Sequence, residues 1–301
     1  MDGLPVCMPT PQEVTLVCVA CARETPSQAA EQASVPSNVR RFSNEAFIYW
    51  RCRHCQSIHA RDDVDLPHYY SRYPFHDLPS DWRFNAMHAR QLARLQRAGL
   101  QRSHKILDYG CGSGHFVRFL QAKGYSKARG FDDYCEEYKA RSVLDERYDC
   151  IISQDVIEHV PSPNVLLDEF RGATEARAII AIGTPNASAI DLGRPREFVH
   201  AIHAPYHRHI LSRDALIDAG SRHGLTLSRF YSTMYTNTPI PFLNEAFYRY
   251  YGRILDDTLD VAAEPVHSGA LLLRLPLTLF WGFFGSLFSR HTDVMAVFRK
   301  Q

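Results

Sequence analysis

The sequence predicts an α/β fold: a doubly wound open sheet with an antiparallel edge strand, a small cysteine-rich subdomain before it and a helical insertion before its last strand. Three observations carry that reading. Lys105–Phe116 (KILDYGCGSGHF) runs from a short apolar strand through a glycine turn into a helix with Phe116, Phe119 and Leu120 at helical spacing. Strand-length apolar runs then recur at Ala128–Phe131, Tyr148–Gln154 and Ala178–Gly183, each followed at once by polar or turn residues. A last run, Asp293–Arg299, follows a long interruption and suits an edge strand.

Taken in order, residues 1–66 form the first unit. Cys18 and Cys21 make one Cys-x-x-Cys knuckle, Cys52 and Cys55 the other. Pro26–Asn38 between them is rich in Pro, Ser and Gln and reads as loop, and Phe47–Trp50 reads as a strand entering the second knuckle. Four thiolates so arranged suit a closed tetrahedral zinc site that is structural, since no coordination position stays open for chemistry. So short a unit has little core, so the metal would supply much of its folding energy. Ala22 and Gln56 stand where glycine often follows the second cysteine, and Cys7 lies apart in the terminus.

Residues 67–101 read as a linker and leading helix. The linker is aromatic (His68, Tyr69, Tyr70, Tyr73, Phe75), packing across the main body or roofing its site. Asp81 caps a helix to about Ala98, stopped by Gly99, with Phe84, Met87, Leu92 and Leu95 on one face. The main body spans 102–234. Gly124 caps the helix after the glycine turn, and Pro161–Asn164 opens another bearing Leu166, Leu167 and Phe170. Ser212 caps a helix ending at Gly224, and Leu225–Phe230 is the next strand. Residues 235–292 are a helical lid or contact insertion, with an aromatic helix over Phe242–Leu259 and an apolar run over Gly269–Phe288. Its uninterrupted part, Leu275–Phe288, is too short to span a bilayer and contains Pro276 and two glycines; the run suits a buried lid, a homodimer contact or peripheral membrane contact. Residues 293–301 return as the last strand.

The glycine turn is also the chemical centre. Asp108 precedes Gly110, Cys111, Gly112, Ser113 and Gly114, so main-chain amides can touch a ligand while a carboxylate stands beside them. Dinucleotide enzymes use Gly-x-Gly-x-x-Gly with a pyrophosphate on the helix N-terminus. Here the acid repels phosphate and suits an ammonium or sulfonium. Asp132, about twenty residues on at the end of the next strand, is placed to accept hydrogen bonds from ribose hydroxyls, with Asp133 left as a turn residue.

The Asp-x-Gly-x-Gly-x-Gly pattern resembles motif I of class I S-adenosylmethionine-dependent methyltransferases. Asp155-Val-Ile-Glu158-His159-Val-Pro and Thr184-Pro185-Asn186 resemble the small-molecule, ubiquinone-biosynthesis O-methyltransferase type. The resemblance spans about Ser103–Phe230 plus the last strand and implies a Rossmann-like sheet, S-adenosylmethionine as cofactor, and cofactor contacts at Asp108, Gly110, Cys111, Gly112, Gly114 and Asp132. The segment between Asp132 and Tyr148 is short, so the third strand is cut back to Ser142, Val143 and Leu144 at most, and adenine recognition falls to Gln154 or Asp155. The resemblance also implies a histidine near the acceptor after the fifth strand. Tyr206 and His207 match best by order, within a group that includes His200, His203 and His209; His159 stands at the crevice edge. Histidine suits removal of a phenolic proton near neutral pH. Asp155, Glu158 and His159 also match a pattern associated, in some relatives, with a divalent metal.

The expected activity is thus O-methylation of a lipophilic or aromatic small molecule in biosynthesis. A net charge of +1 disfavours nucleic acid as the main partner, and Asp155-Val-Ile-Glu158 is not the Asn/Asp-Pro-Pro-aromatic motif of enzymes that methylate exocyclic amines. A zinc-ribbon-guided nucleic-acid or protein methyltransferase, a nicotinamide dehydrogenase and a non-catalytic nucleoside-binding protein are the competing classes. Paired cysteines without a basic-then-apolar leader suit a reducing, cytoplasmic setting.

Overall fold

A computed structural model describes residues 14–71, 81–263, 269 and 273–301. The expectations on Cys7, Tyr73, Phe75 and residues 270–272 of the Gly269–Phe288 run lie outside those residues. The first unit opens with a hairpin, β1 (Thr15–Val17) and β2 (Glu24–Pro26), whose turn holds Cys18 and Cys21. β3 (Glu31–Pro36), β4 (Ala46–Arg51) and β5 (Ile58–Ala60) then form an antiparallel sheet, with Cys52 and Cys55 in the turn between the last two. The expected loop over Pro26–Asn38 is therefore corrected: its polar and proline composition suits an edge strand with one solvent face, and β4 supplies the partner. A short helix, α1 (Leu66–Tyr70), follows.

α2 (Trp82–Arg97) begins as its cap dictates, Asp81 accepting hydrogen bonds from the amides of Arg83 and Phe84, and ends before Gly99 at φ +95°. The main sheet follows: β6 (Ile106–Tyr109), α3 (His115–Ala122), β7 (Ala128–Phe131), β8 (Tyr148–Gln154), α4 (Pro163–Gly172) and β9 (Thr174–Pro185). After these come α5 (Val199–Ile202), the two-residue β10 (His209–Ile210), α6 (Arg213–Arg222), β11 (Leu225–Tyr231), α7 (Glu245–Ile254) and β12 (Asp293–Lys300).

The strand order is β11-β12-β9-β8-β6-β7. β6 to β9 are parallel, while β12 runs antiparallel at this margin of the sheet, between β9 and the outermost β11. Side chains alternate between faces, and both faces are apolar because helices cover both. Ile106, Ile152, Ala181 and Val297 pack under α2 and α3, whereas Leu107, Ile151, Ile180 and Phe298 pack against α4 and α6. Ser142–Leu144 fall within a 3-10 turn, Arg141–Asp145, rather than a remnant third strand, so β7 is left at the edge.

β10 does not belong to the main sheet. It pairs antiparallel with β5, so a strand of the cysteine unit's sheet comes from beyond residue 200. In the insertion, the helix expected over Phe242–Leu259 is shorter, because Asn244 caps it by accepting from the Phe247 amide. The Leu275–Phe284 helix lies against α7, with Phe242 seated over Gly282 and Asn244 donating to the Gly282 carbonyl at 3.1 Å. Its outer face leaves Leu277, Leu279, Phe283 and Phe284 exposed. No helix among the described residues is long and apolar enough to cross a membrane.

Candidate active site

The glycine turn works as its spacing demands. Gly110, Gly112 and Gly114 all have positive φ, at +78°, +52° and +74°. The Gly110 amide donates to the Phe131 carbonyl at 2.7 Å and the Gly112 amide to Asp132 Oδ2 at 2.9 Å, which fastens the loop to the end of β7. A Cβ on Gly112 would meet nothing within 4 Å, so the loop is bare there. This open side faces a cavity of about 1530 Å³ bordered by Asp108, Gly110, Cys111, Gly112, Asp132, Gln154 and Asp155. Gly114 is the exception among the expected cofactor contacts. It does not border the cavity, and its missing Cβ makes room for the Tyr138 ring.

The charges around the loop ask for a cationic ligand. Burial, then the neighbouring Asp132 carboxylate, pushes the Asp108 carboxyl up to about 7. Asp155 faces the cavity, with φ at +54°; enclosure by the fold and then Asp293 push its carboxyl up to about 7 as well. Asp293, at the start of β12, is raised to about 7 by burial and then by Glu245. Both amide atoms of Gln154 are buried without a partner beside Gly183, a donor and an acceptor left for a ligand. Asp132 spends one oxygen on Gly112 and the other on the Tyr134 amide at 2.8 Å, leaving lone pairs for hydroxyls. An aminoacyl nucleoside bearing a sulfonium fits these residues.

The histidines divide. His159 and His200 border the cavity, while His203, His207 and His209 are buried behind its wall and Tyr206 is fully buried. His207 and Tyr206 therefore do not reach the cavity as the order of motifs suggested. The reason is the cysteine unit: Tyr49 donates its hydroxyl to the His207 carbonyl at 2.7 Å, and Asn38 Oδ1 lies 2.7 Å from His203 Nδ1. His159 Nδ1 lies 3.0 Å from the Tyr206 carbonyl, so that nitrogen carries the proton and Nε2 keeps its lone pair. Burial holds His159 down to about 4, which keeps it neutral. Tyr70 places its hydroxyl 2.9 Å from the same Nδ1 and stacks on Tyr134, so it roofs this side.

Asp155 does not join Glu158 and His159 as a ligand set, because the turn after β8 is not helical. The group that converges is Glu158, His159 and His207, with one ligand atom of each within 4.8 Å of the others. Glu158 Oε2 accepts from Thr184 at 2.9 Å, whereas Oε1 is buried without a hydrogen bond and lies 3.8 Å from His207 Nε2. His207 Nδ1 donates to the Ala201 carbonyl at 3.1 Å, so its Nε2 also presents a lone pair.

Cys18, Cys21, Cys52 and Cys55 converge in the same way. Cys18 and Cys55 sulfurs are 3.5 Å apart and Cys21 and Cys52 sulfurs 3.8 Å, with no disulfide. Zinc–sulfur bonds of about 2.3 Å in a tetrahedron put sulfurs about 3.8 Å apart, so the set fits that ion. The crowded sulfurs share a proton: the Cys18 hydrogen bond pulls Cys55 down to about 5 while Cys18 is pushed up.

Sequence reasoning missed His59, which sits 3.1 Å from the Cys18 sulfur and packs against Trp50. It also missed Asp293 and Tyr235, which border the cavity, and Asn38, which holds His203 behind its wall; none of the three has a local motif.

Among solved structures the chain is similar to a sarcosine dimethylglycine methyltransferase candidate from Galdieria sulphuraria, at 20% identity over 73% of this chain and 86% of that one, with a TM-score of 0.44. It is also similar to coclaurine N-methyltransferase bound to N-methylheliamine and SAH, at 16% identity over 74% and 75%, TM-score 0.42. A third, an S-adenosylmethionine-dependent methyltransferase from Mesorhizobium loti, shares 16% identity over 69% and 96%, TM-score 0.41. No curated protein matches the chain. Residues 78–229 match the family model described as a methyltransferase domain, which takes in the glycine loop, the paired acids and β6 through most of β11, and the chain belongs to that family of S-adenosylmethionine-dependent methyltransferases.

Proposed function

We propose that this enzyme methylates a lipophilic or aromatic small molecule, on oxygen, with His159 as the proton acceptor. The observation that carries the reading is the bare Gly112 edge between Asp108 and Asp132, opening on a cavity larger than a cofactor needs. The remaining space is lined by Phe242, Phe247, Tyr248 and Tyr251 of the insertion, which suit an apolar acceptor. When bound, S-adenosylmethionine supplies a methyl group already activated by its sulfonium. Asp108 would hold the positive aminoacyl end, Asp132 the ribose, and Gln154 or Asp155 the adenine side. The protein's task is then alignment and water exclusion, with Tyr70 and the insertion closing the acceptor side. His159 Nε2, its lone pair fixed by the Nδ1 hydrogen bond, would take the acceptor's proton as the methyl leaves sulfur.

Zinc belongs to the same proposal: on Cys18, Cys21, Cys52 and Cys55 it would be structural. A second reading rests on the convergence of Glu158, His159 and His207: a divalent ion held there would supply Lewis-acid chemistry, and His159 would be a ligand in place of a base. The outward face of Leu275–Phe284 would meet either a second copy or the bilayer that holds such an acceptor.

Calorimetry with S-adenosylhomocysteine tests the reading. Binding is expected to vanish in Asp108→Ala and weaken in Asp132→Ala. It should also weaken as pH falls below about 7, since the raised Asp108 carboxyl gains a proton there and the bound ammonium requires it ionised. Wild-type affinity in both variants would count heavily against the assignment. Metal analysis should find zinc in both wild type and Glu158→Gln; a second ion found only in the former would assign His159 as a ligand and favour the second reading.

A further inference from the structure

Beside the C-terminal half of α2 lies a second cavity of about 340 Å³, bordered by Arg90, Arg94, Arg97 and Phe230–Thr233. The same helix, through Phe84, Met87, His88 and Gln91, borders the main cavity. The sequence around it is one-sided. Between Asp81 and Asp108 there is no acid, yet Arg83, Arg90, Arg94, Arg97, Arg102 and Lys105 all fall there.

The cavity wall carries three arginines and no acid. Arg90 and Tyr231 both border this space, and neither Arg90 Nε nor the Tyr231 hydroxyl has a hydrogen-bond partner among the described residues. Arg90 and Arg97 thus bring unpaired positive charge to one cavity, and the wall holds no carboxylate to balance it. Among the described residues none of the three arginines has an ion pair. Arg94 is already committed. Its guanidinium donates to the Thr233 carbonyl at 2.7 Å and to Thr233 Oγ1 at 3.2 Å, and stacks over Tyr231 at 4.6 Å. It fixes one wall while Arg90 and Arg97 flank the opening. Burial and then Arg90 pull Arg94 down to about 10, and burial and then Arg97 lower Arg90, so the cluster repels itself as it stands.

We propose that this cavity is an anion site for a phosphoryl group, held by Arg90 and Arg97. Planar guanidinium forks match the paired oxygens of a phosphoryl group. The site shares no lining residue with the methyl-donor pocket, though α2 borders both.

Inorganic pyrophosphate is the probe, titrated against thermal unfolding at constant ionic strength, with Arg97→Gln and Arg90→Gln as variants. Arg97 is exposed, so its replacement leaves the fold intact. Pyrophosphate should raise the midpoint of the wild type above an equal-strength chloride control. Each variant should weaken the effect by about tenfold or more, the worth of a charge-assisted hydrogen bond. Calorimetric S-adenosylhomocysteine binding should persist in both. Flotation with phosphatidylcholine vesicles, with and without phosphatidic acid, distinguishes the source. Pyrophosphate binding without flotation assigns a soluble phosphate ester, and flotation that requires phosphatidic acid and Arg97 assigns a lipid headgroup. A midpoint that follows chloride alone, or a pyrophosphate effect unchanged in both variants, overturns the site.

Discussion

Ala22 and Gln56 occupy equivalent places, one after the second cysteine of each knuckle, and both are left-handed, at φ 57° and 62°. The geometry is forced: the Ala22 amide returns to the Cys18 carbonyl at 2.8 Å and the Gln56 amide to the Cys52 carbonyl at 2.9 Å. That fold-back aims both sulfurs of a pair at one point, and a side chain at the left-handed position costs about 1 kcal/mol. Ala22→Gly should therefore stabilise the zinc-loaded protein by about 0.5 kcal/mol, after allowing for glycine's extra freedom in the unfolded chain. Gln56→Gly should gain less, because it also gives up the Gln56 Nε2 bond to the Arg53 carbonyl. Denaturant unfolding reads both, and destabilisation by Ala22→Gly would mean that the turn is not strained. Cysteine spacing and the missing glycines were legible in sequence, since a knuckle is a local object. His59 was not: nothing near it in sequence marks a ring that meets Cys18 across 41 residues.

At the scale of elements, the glycine loop separates two roles that its sequence merges. A Cβ on Gly110 would lie 2.2 Å from Val156 Cγ2, in the turn that follows β8. A Cβ on Gly112, a residue that borders the cavity, would enter open space. Gly110→Ala should therefore cost stability, roughly 2–3 kcal/mol from strain and overpacking together. Gly112→Ala should cost only about 1 kcal/mol of backbone strain yet abolish S-adenosylhomocysteine binding, because the new methyl fills the ligand's place. Thermal unfolding beside calorimetry separates the two; tight binding by Gly112→Ala would show that the ligand does not lie against this edge. The helix caps were legible, with Asp81, Ser212 and Gly124 all where local chemistry puts them. β3 was not, because its residues are strand only through β4, and the composition of an edge strand resembles that of a loop.

The whole molecule is less divisible than the sequence suggests. The methyltransferase sheet was readable because each strand carries its own apolar signal, but the acceptor wall is a joint product of two distant segments. β10 pairs with β5, the Ala60 amide donates to the Arg208 carbonyl at 2.8 Å, and Ser212 Oγ donates to the Cys55 carbonyl at 2.6 Å. Arg51 reaches the Ala187 and Ile190 carbonyls, and Tyr49 and Asn38 hold His207 and His203. By contrast, the glycine loop's anchors at Phe131 and Asp132 lie wholly within the main sheet. Loss of metal from the four sulfurs should therefore loosen the acceptor wall before it disturbs the cofactor loop. After chelation, or in Cys52→Ser, amide exchange across residues 200–212 should quicken by at least about tenfold, equivalent to about 1.4 kcal/mol of local stability. S-adenosylhomocysteine binding should persist while methyl transfer to an added acceptor fails. Exchange in 200–212 that ignores the metal, or cofactor binding lost in step with it, would mean that the cysteine unit supports the fold as a whole and not this wall.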